Sequence, residues 1–95
     1  MAVYTGLFRF TEQGARNIKR SVERAHKSDE AAEKAGVIIE GQYWTLGPYD
    51  GVLSISADEP KKGAHCLAEL ASFGNVSVQT LTAFKDTKIA EIMET

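Results

Sequence analysis

With 95 residues, 43% of them hydrophobic and 25% charged, the chain is long enough for one domain with an apolar core and too apolar to be disordered. A formal net charge of −2 excludes a global attraction for nucleic acid or for anionic membranes. Chains of this size often complete their burial against a second subunit, so the expectation is a single domain over residues 1–95 that forms a homodimer or a higher homo-oligomer.

Residues Val3 to Phe10 alternate, with Tyr4, Phe8 and Phe10 on one face and Val3, Thr5 and Leu7 on the other, which predicts a first strand. Thr11 then stands where a helix cap belongs, with Glu12 in the first turn. Ala15, Ile18, Val22, Ala25 and Ala32 follow as a stripe expected to face the sheet. Gly14 and the Arg20-Ser21 region weaken this helix, predicting a kink or split, and Gly36 ends it.

Two extended runs come next, Val37 to Leu46 and Val52 to Ala57, both rich in β-branched or aromatic residues and joined through Gly47-Pro48-Tyr49-Asp50-Gly51, so a hairpin is predicted. Asp58 or Glu59 with Pro60 opens a second helix running to about Phe73, and Gly74-Asn75 closes it. Val76 to Phe84 reads as a fourth strand, followed by a short helix carrying Ile89, Ile92 and Met93. The order β-α-β-β-α-β plus a terminal helix is that of an α+β, ferredoxin-like sandwich with a four-stranded antiparallel sheet and both helices on one face. Each strand has large apolar groups in both alternating sets, so Tyr43 or Trp44, with aromatic residues of the first strand, is expected on the other face. A second copy packed sheet against sheet would cover it.

With this order in place, the chain resembles the GYD domain family, small ferredoxin-like proteins related to the dimeric α/β barrels. The resemblance rests on Thr11-Glu12-Gln13-Gly14 followed by Asn17-Ile18-Lys19, on Gly47-Pro48-Tyr49-Asp50, on Gly74-Asn75-Val76 and on Thr80-Leu81-Thr82-Ala83-Phe84. It spans nearly the whole chain, with one departure: in the family a proline often stands where Val22 follows Ser21. It implies a dimeric α/β barrel. Its wider relatives include cofactor-independent monooxygenases of aromatic compounds, isomerase- and dehydratase-like enzymes, ligand sensors and structural proteins, so it implies no single reaction.

The candidate chemistry centres on the hairpin turn. Turn hydrogen bonding alone accounts for Asp50, and apolar covering accounts for Tyr49. The sharper alternative has the two lining a cleft with His65, in which Asp50 or His65 moves a proton and Tyr49 donates a hydrogen bond. Tyr43, Trp44 and Tyr49 are the candidate ligand-binding residues, forming a largely apolar pocket with a few polar groups if they converge. His65 and Cys66 are adjacent on a helix and point ~100° apart, so they do not ligate one metal from a regular helix, and a rim histidine beside a core cysteine is the simpler account. His26 lacks a neighbouring ligand at metal spacing. Arg16, Arg20, Arg24 and Lys27 make a basic ridge, but acids interleave with it and no aromatic residue stacks beside it. The third strand also lacks the stacking aromatics of an RNA-recognition module.

No apolar run reaches the ~20 residues of a membrane helix, and Met1 to Phe10 lacks the pattern of a signal peptide. Cys66 is the only cysteine, which leaves no intrachain disulfide and no multi-cysteine metal site. The expectation is a cytoplasmic protein with no cofactor, metal, nucleic-acid or membrane partner, whose partners are itself and a small molecule. Two functional readings follow: a non-catalytic small-ligand-binding or assembly module, and, as the alternative, a cofactor-independent enzyme, monooxygenase- or isomerase-like, acting on a small aromatic or carbonyl compound.

Overall fold

The computed structural model describes residues 2–94. Four strands, β1 (Ala2–Phe10), β2 (Val37–Trp44), β3 (Gly51–Ala57) and β4 (Val76–Ala83), form one antiparallel sheet in the order β2-β3-β1-β4. The helices are α1 (Glu12–Arg16), α2 (Ser21–Lys34), α3 (Pro60–Ser72) and α4 (Asp86–Met93). This is the ferredoxin-like α+β arrangement. Among the described residues no helix is long and apolar enough to cross a membrane.

The inner face of the sheet carries Tyr4, Phe8, Val37, Ile39, Leu53, Ile55 and Val78, with Leu67 and Leu70 of α3 and Ala32 of α2 closing over them. α2 lies on β2, and α3 crosses β1, β3 and β4. Gly63 allows α3 to come this close, since a methyl there would sit 2.6 Å from the Tyr4 ring. The helices stop where expected, at Gly36 and Gly74, whose φ values of 87° and 83° suit glycine.

Two expectations need correction. The aromatic residues of β1 do not reach the open face: Tyr4 and Phe8 pack on the core and Phe10 lines the space beside α2, leaving Val3, Thr5, Leu7 and Arg9 outside. The stripe on the first helical region holds only in its second half: Ala25 and Ala32 face the sheet, whereas Ile18 and Val22 are each 50% exposed. The region splits at Asn17, and residues Ile18–Arg20 form a 3-10 turn with three residues per turn, not 3.6, so the helical phase restarts at Ser21. The residues of α2 turned to the sheet are Ser21, Ala25, Ser28, Asp29 and Ala32.

The register of β2 settles which aromatic lies inside. A bulge between Ile39 and Gly41 shifts the pairing by one residue, so that Gln42 opposes Leu53, Tyr43 opposes Val52 and Trp44 opposes Gly51. Partners in an antiparallel pair share a face. Gln42 and Trp44 therefore turn toward the helices, while Tyr43 turns outward, 66% exposed, with its ring beside Gly41.

Candidate functional site

Three of the four sequence motifs meet at one place, the C-terminal end of β1, while Thr80–Ala83 pairs with the first half of that strand. On one side, Asp50 donates its backbone N–H to the Phe8 carbonyl (2.7 Å) and accepts from the Phe10 N–H with carboxylate oxygen Oδ2 (2.8 Å). Its own carbonyl accepts from Thr45 N–H, which holds the turn. On the other side, Thr11 N–H donates to the Asn75 carbonyl (3.1 Å) and Thr11 Oγ1 donates to the Gly74 carbonyl (2.6 Å). Gln13 Nε2 adds a bond to Asn75 Oδ1 (3.0 Å), while Thr11 Oγ1 also caps α1 by accepting from Gly14 N–H. Gly14 is buried against the Asn75 backbone, with no room for a side chain.

Asp50 thus carries the pairing of β1 one residue past the end of β3. Asp50→Ala leaves the part-buried Phe10 N–H without its ionised acceptor and is expected to cost about 2 kcal/mol in urea denaturation. Asp50→Asn keeps an oxygen there and should lose about half as much; equal losses for the two would count against the hydrogen bond as the cause.

Beside this junction a cleft of about 130 Å³ opens between the sheet and helices α2 and α3. Its walls are mostly apolar, from Phe8, Phe10, Ile39, Leu53, Leu70 and Phe73. Trp44 spans the rim, 46% exposed, with its indole Nε1–H donating to Ser21 Oγ at the start of α2 (3.1 Å). Ser28, Asp29, Gln42, Asn75, Arg24 and Asp50 are among the polar residues of its lining. Arg24 Nη1 is already held by the Asn17 carbonyl at 2.7 Å.

Burial raises the pKa of Asp29 above the ordinary value of 3.8, an effect opposed by the nearby His26, reinforced by Glu33 and opposed again by a hydrogen bond from Gln42. An acid with a raised folded pKa binds its proton more tightly when folded, so its ionisation lowers stability as pH rises from its unfolded pKa through its folded one. Asp29 therefore stands where its charge works against folding at neutral pH. Cys66, half-buried on the α3 side, has its thiol pKa pushed up by burial first and by the carboxylates of Glu69 and Asp29 second. It stays protonated near neutrality.

The candidate residues read from the sequence separate into groups. Asp50 and Trp44 share the cleft, and Tyr43 contributes to its lip through its strand while its ring lies on the outer face. Tyr49 lies on that outer face too: its hydroxyl donates to Gln79 Oε1 (2.7 Å), its ring lies 4.9 Å below the Arg9 guanidinium, and Arg9 Nε donates to the Pro48 carbonyl (2.9 Å). His65 is exposed, its Nε2 3.3 Å from Glu69 Oε2, and borders a different depression between α2 and α3. Tyr49, Asp50 and His65 do not converge.

Asp29, Gln42 and Ser21 were not among the candidates. The signal for Asp29 lay in the helical spacing. Ala25 and Ala32 are seven residues apart, and the intervening turn of an inward face falls on Ser28 and Asp29, where an apolar residue would ordinarily stand.

Fold and cleft together define a small ferredoxin-like α+β domain with a half-open apolar cleft between sheet and helices. The chain belongs to the GYD domain family, which it matches over residues 4–93. It is 33% identical over 84 residues, covering 87% of this chain and 88% of its relative, to the glutamine synthetase and cystathionine beta-lyase binding protein of Thermus thermophilus. Among solved structures it resembles FFRP-DM1, with a TM-score of 0.63 at 16% identity over 88% of this chain and all of that one. It also resembles a hypothetical protein of Pyrococcus horikoshii, with a TM-score of 0.55 at 19% identity over 90% and 93% of the two chains. At these identities the solved structures speak for the fold alone.

Proposed function

We propose that this protein is a non-catalytic binding module that forms a homodimer and attaches to metabolic enzymes. The observation that carries the reading is the similarity, along 87% of the chain, to a protein named for binding glutamine synthetase and cystathionine beta-lyase. Enzymes of those two kinds are the partners we assign to it.

The outer face of the sheet supports self-association. It exposes Ile38, Tyr43 and Leu81, with Val3, Leu7 and Val52 partly exposed between them. Four strands of about eight residues present roughly 500 Å² per copy, or roughly 1,000 Å² in a dimer. A standard stable interface buries about 1,600 Å². The remainder would come from α4, which packs little on its own chain and leaves Ile89 and Met93 exposed.

Light scattering on the eluting protein should give twice the chain mass of 10.4 kDa, and Leu81→Glu should return it to the monomer. Purified glutamine synthetase and cystathionine beta-lyase from the encoding organism should each be tested against the immobilised full chain. Saturable retention of either enzyme is the expected result. Retention of neither at about 10 μM, a concentration that would detect a binding free energy near −7 kcal/mol, would overturn the protein-binding reading.

A further inference from the structure

We infer that the cleft between the sheet and helices α2 and α3 is a binding site for a small organic ammonium ion carrying one compact apolar group. This inference rests on the cleft and is independent of the protein-binding reading above.

The size of the site limits the apolar group. A dry apolar cavity of about 150 Å³ holds one benzene molecule. The cleft, at about 130 Å³, accommodates one such ring or a branched aliphatic group of similar bulk. Phe8, Phe10, Leu70 and Phe73 supply the apolar and aromatic walls, and Trp44 stands at the rim.

The charge of the lining selects the polar end. Asp29 on α2 and Asp50 in the turn before β3 line the cleft, against one cation, Arg24. Arg24 is engaged by the Asn17 carbonyl, and Asp50 keeps one carboxylate oxygen beyond the one bound to Phe10 N–H. Gln42 reaches Asp29 from β2 and leaves it further acceptor capacity. A carboxylate in apolar surroundings has lost part of its hydration, so a cation arriving there gains more than it would in water. A ring face of Phe8, Phe10, Phe73 or Trp44 turned toward the ligand would favour the same charge. A neutral ligand would forgo both interactions, and an anion would meet a lining of two carboxylates to one guanidinium.

Asp29 also occupies a position that packing alone would give to an apolar residue, and its ionisation lowers stability. An acid that stands there against the stability of the fold fits a binding role better than a packing one.

The test uses the full chain at pH 7 and three probes of one size: benzylammonium, benzyl alcohol and benzoate. Amide and indole resonances are followed by two-dimensional NMR. Benzylammonium should produce saturable shifts at Phe8, Phe10 and the Trp44 indole, with an affinity about tenfold above that of benzyl alcohol, the worth of one charge-assisted contact. Benzoate should produce none. Asp29→Asn should bring benzylammonium down to the level of the alcohol without lowering the thermal midpoint, which separates lost binding from lost folding. Equal binding of alcohol and ammonium by the parent protein, a preference for benzoate, or no saturable shift with any probe would each overturn the inference, whatever the variant does.

Discussion

Gly14→Ala is expected to lose about 3 kcal/mol of stability, a large change for a single added methyl. The methyl would land on the backbone carbonyl oxygen of Asn75, and backbone cannot turn aside as a flexible side chain can. Neither partner is free to move. Thr11 fixes the start of α1 through its N–H to the Asn75 carbonyl and through its hydroxyl to Gly74, and α1 has only five residues over which to spread a shift. Alanine is the better helix former by about 1 kcal/mol, a gain the collision exceeds. Urea denaturation at unchanged m-value measures the loss. Gln13→Ala, which removes two exposed bonds from the same junction, to the Phe73 carbonyl and to Asn75 Oδ1, is the control and should cost about 1 kcal/mol at most. If Gly14→Ala unfolds with the parent, the close approach of α1 to Asn75 is absent from the protein.

Leu67→Ala should cost about 3 kcal/mol or somewhat more, since Leu67 is 2% exposed and is the largest side chain of α3 buried in the core. Its position gives the loss a second signature. A methyl on Gly6, in the middle of β1, would come within 3.0 Å of Leu67 Cδ2, and within 3.4 Å of Phe8 and Val78. Gly6→Ala is therefore expected to destabilise when Leu67 is present and should become neutral or favourable once Leu67→Ala has emptied the space. A double-mutant cycle should give a coupling of about 1 kcal/mol or more in the favourable direction. Strict additivity would show that Leu67 does not fill the space above Gly6.

Much of the architecture was legible because it follows from local rules. The alternation in β1, the Thr11 cap and the glycines after α2 and α3 each act within a few residues, and the structure keeps them. Features that depend on phase or on distant partners were less accessible. Three residues of 3-10 turn interrupt the helix, so that Ile18 stands outside regular helix and Val22 in the first turn of a new one, both exposed, while Asp29 follows the Ala25–Ala32 spacing inward. One bulged residue in β2 decides that Trp44 faces the helices and Tyr43 faces out. Asp50 was read as a turn residue or a proton carrier. Its carboxylate accepts from Phe10, 40 positions away, a partner that no local pattern encodes. The Tyr49-Asp50 pair illustrates the limit: adjacent in sequence, one bonds Gln79 on the outer face and the other bonds the Phe10 N–H at the end of β1.

The bonds around the end of β1 join segments far apart in the chain, Phe10 to Asp50 across 40 positions and Thr11 to Gly74 across 63. Such contacts repay their loop-closure entropy only after the hairpin and β4 have docked, so they belong on the native side of the folding barrier. The motifs that mark the family would then govern how long the native state lasts more than how quickly it is reached. In a chevron of Gly14→Ala the folding arm should lie close to that of the parent, with the unfolding arm carrying most of the lost stability. A variant at this junction would reach the native state on schedule and leave it early, and resistance to proteolysis under native conditions would register the change.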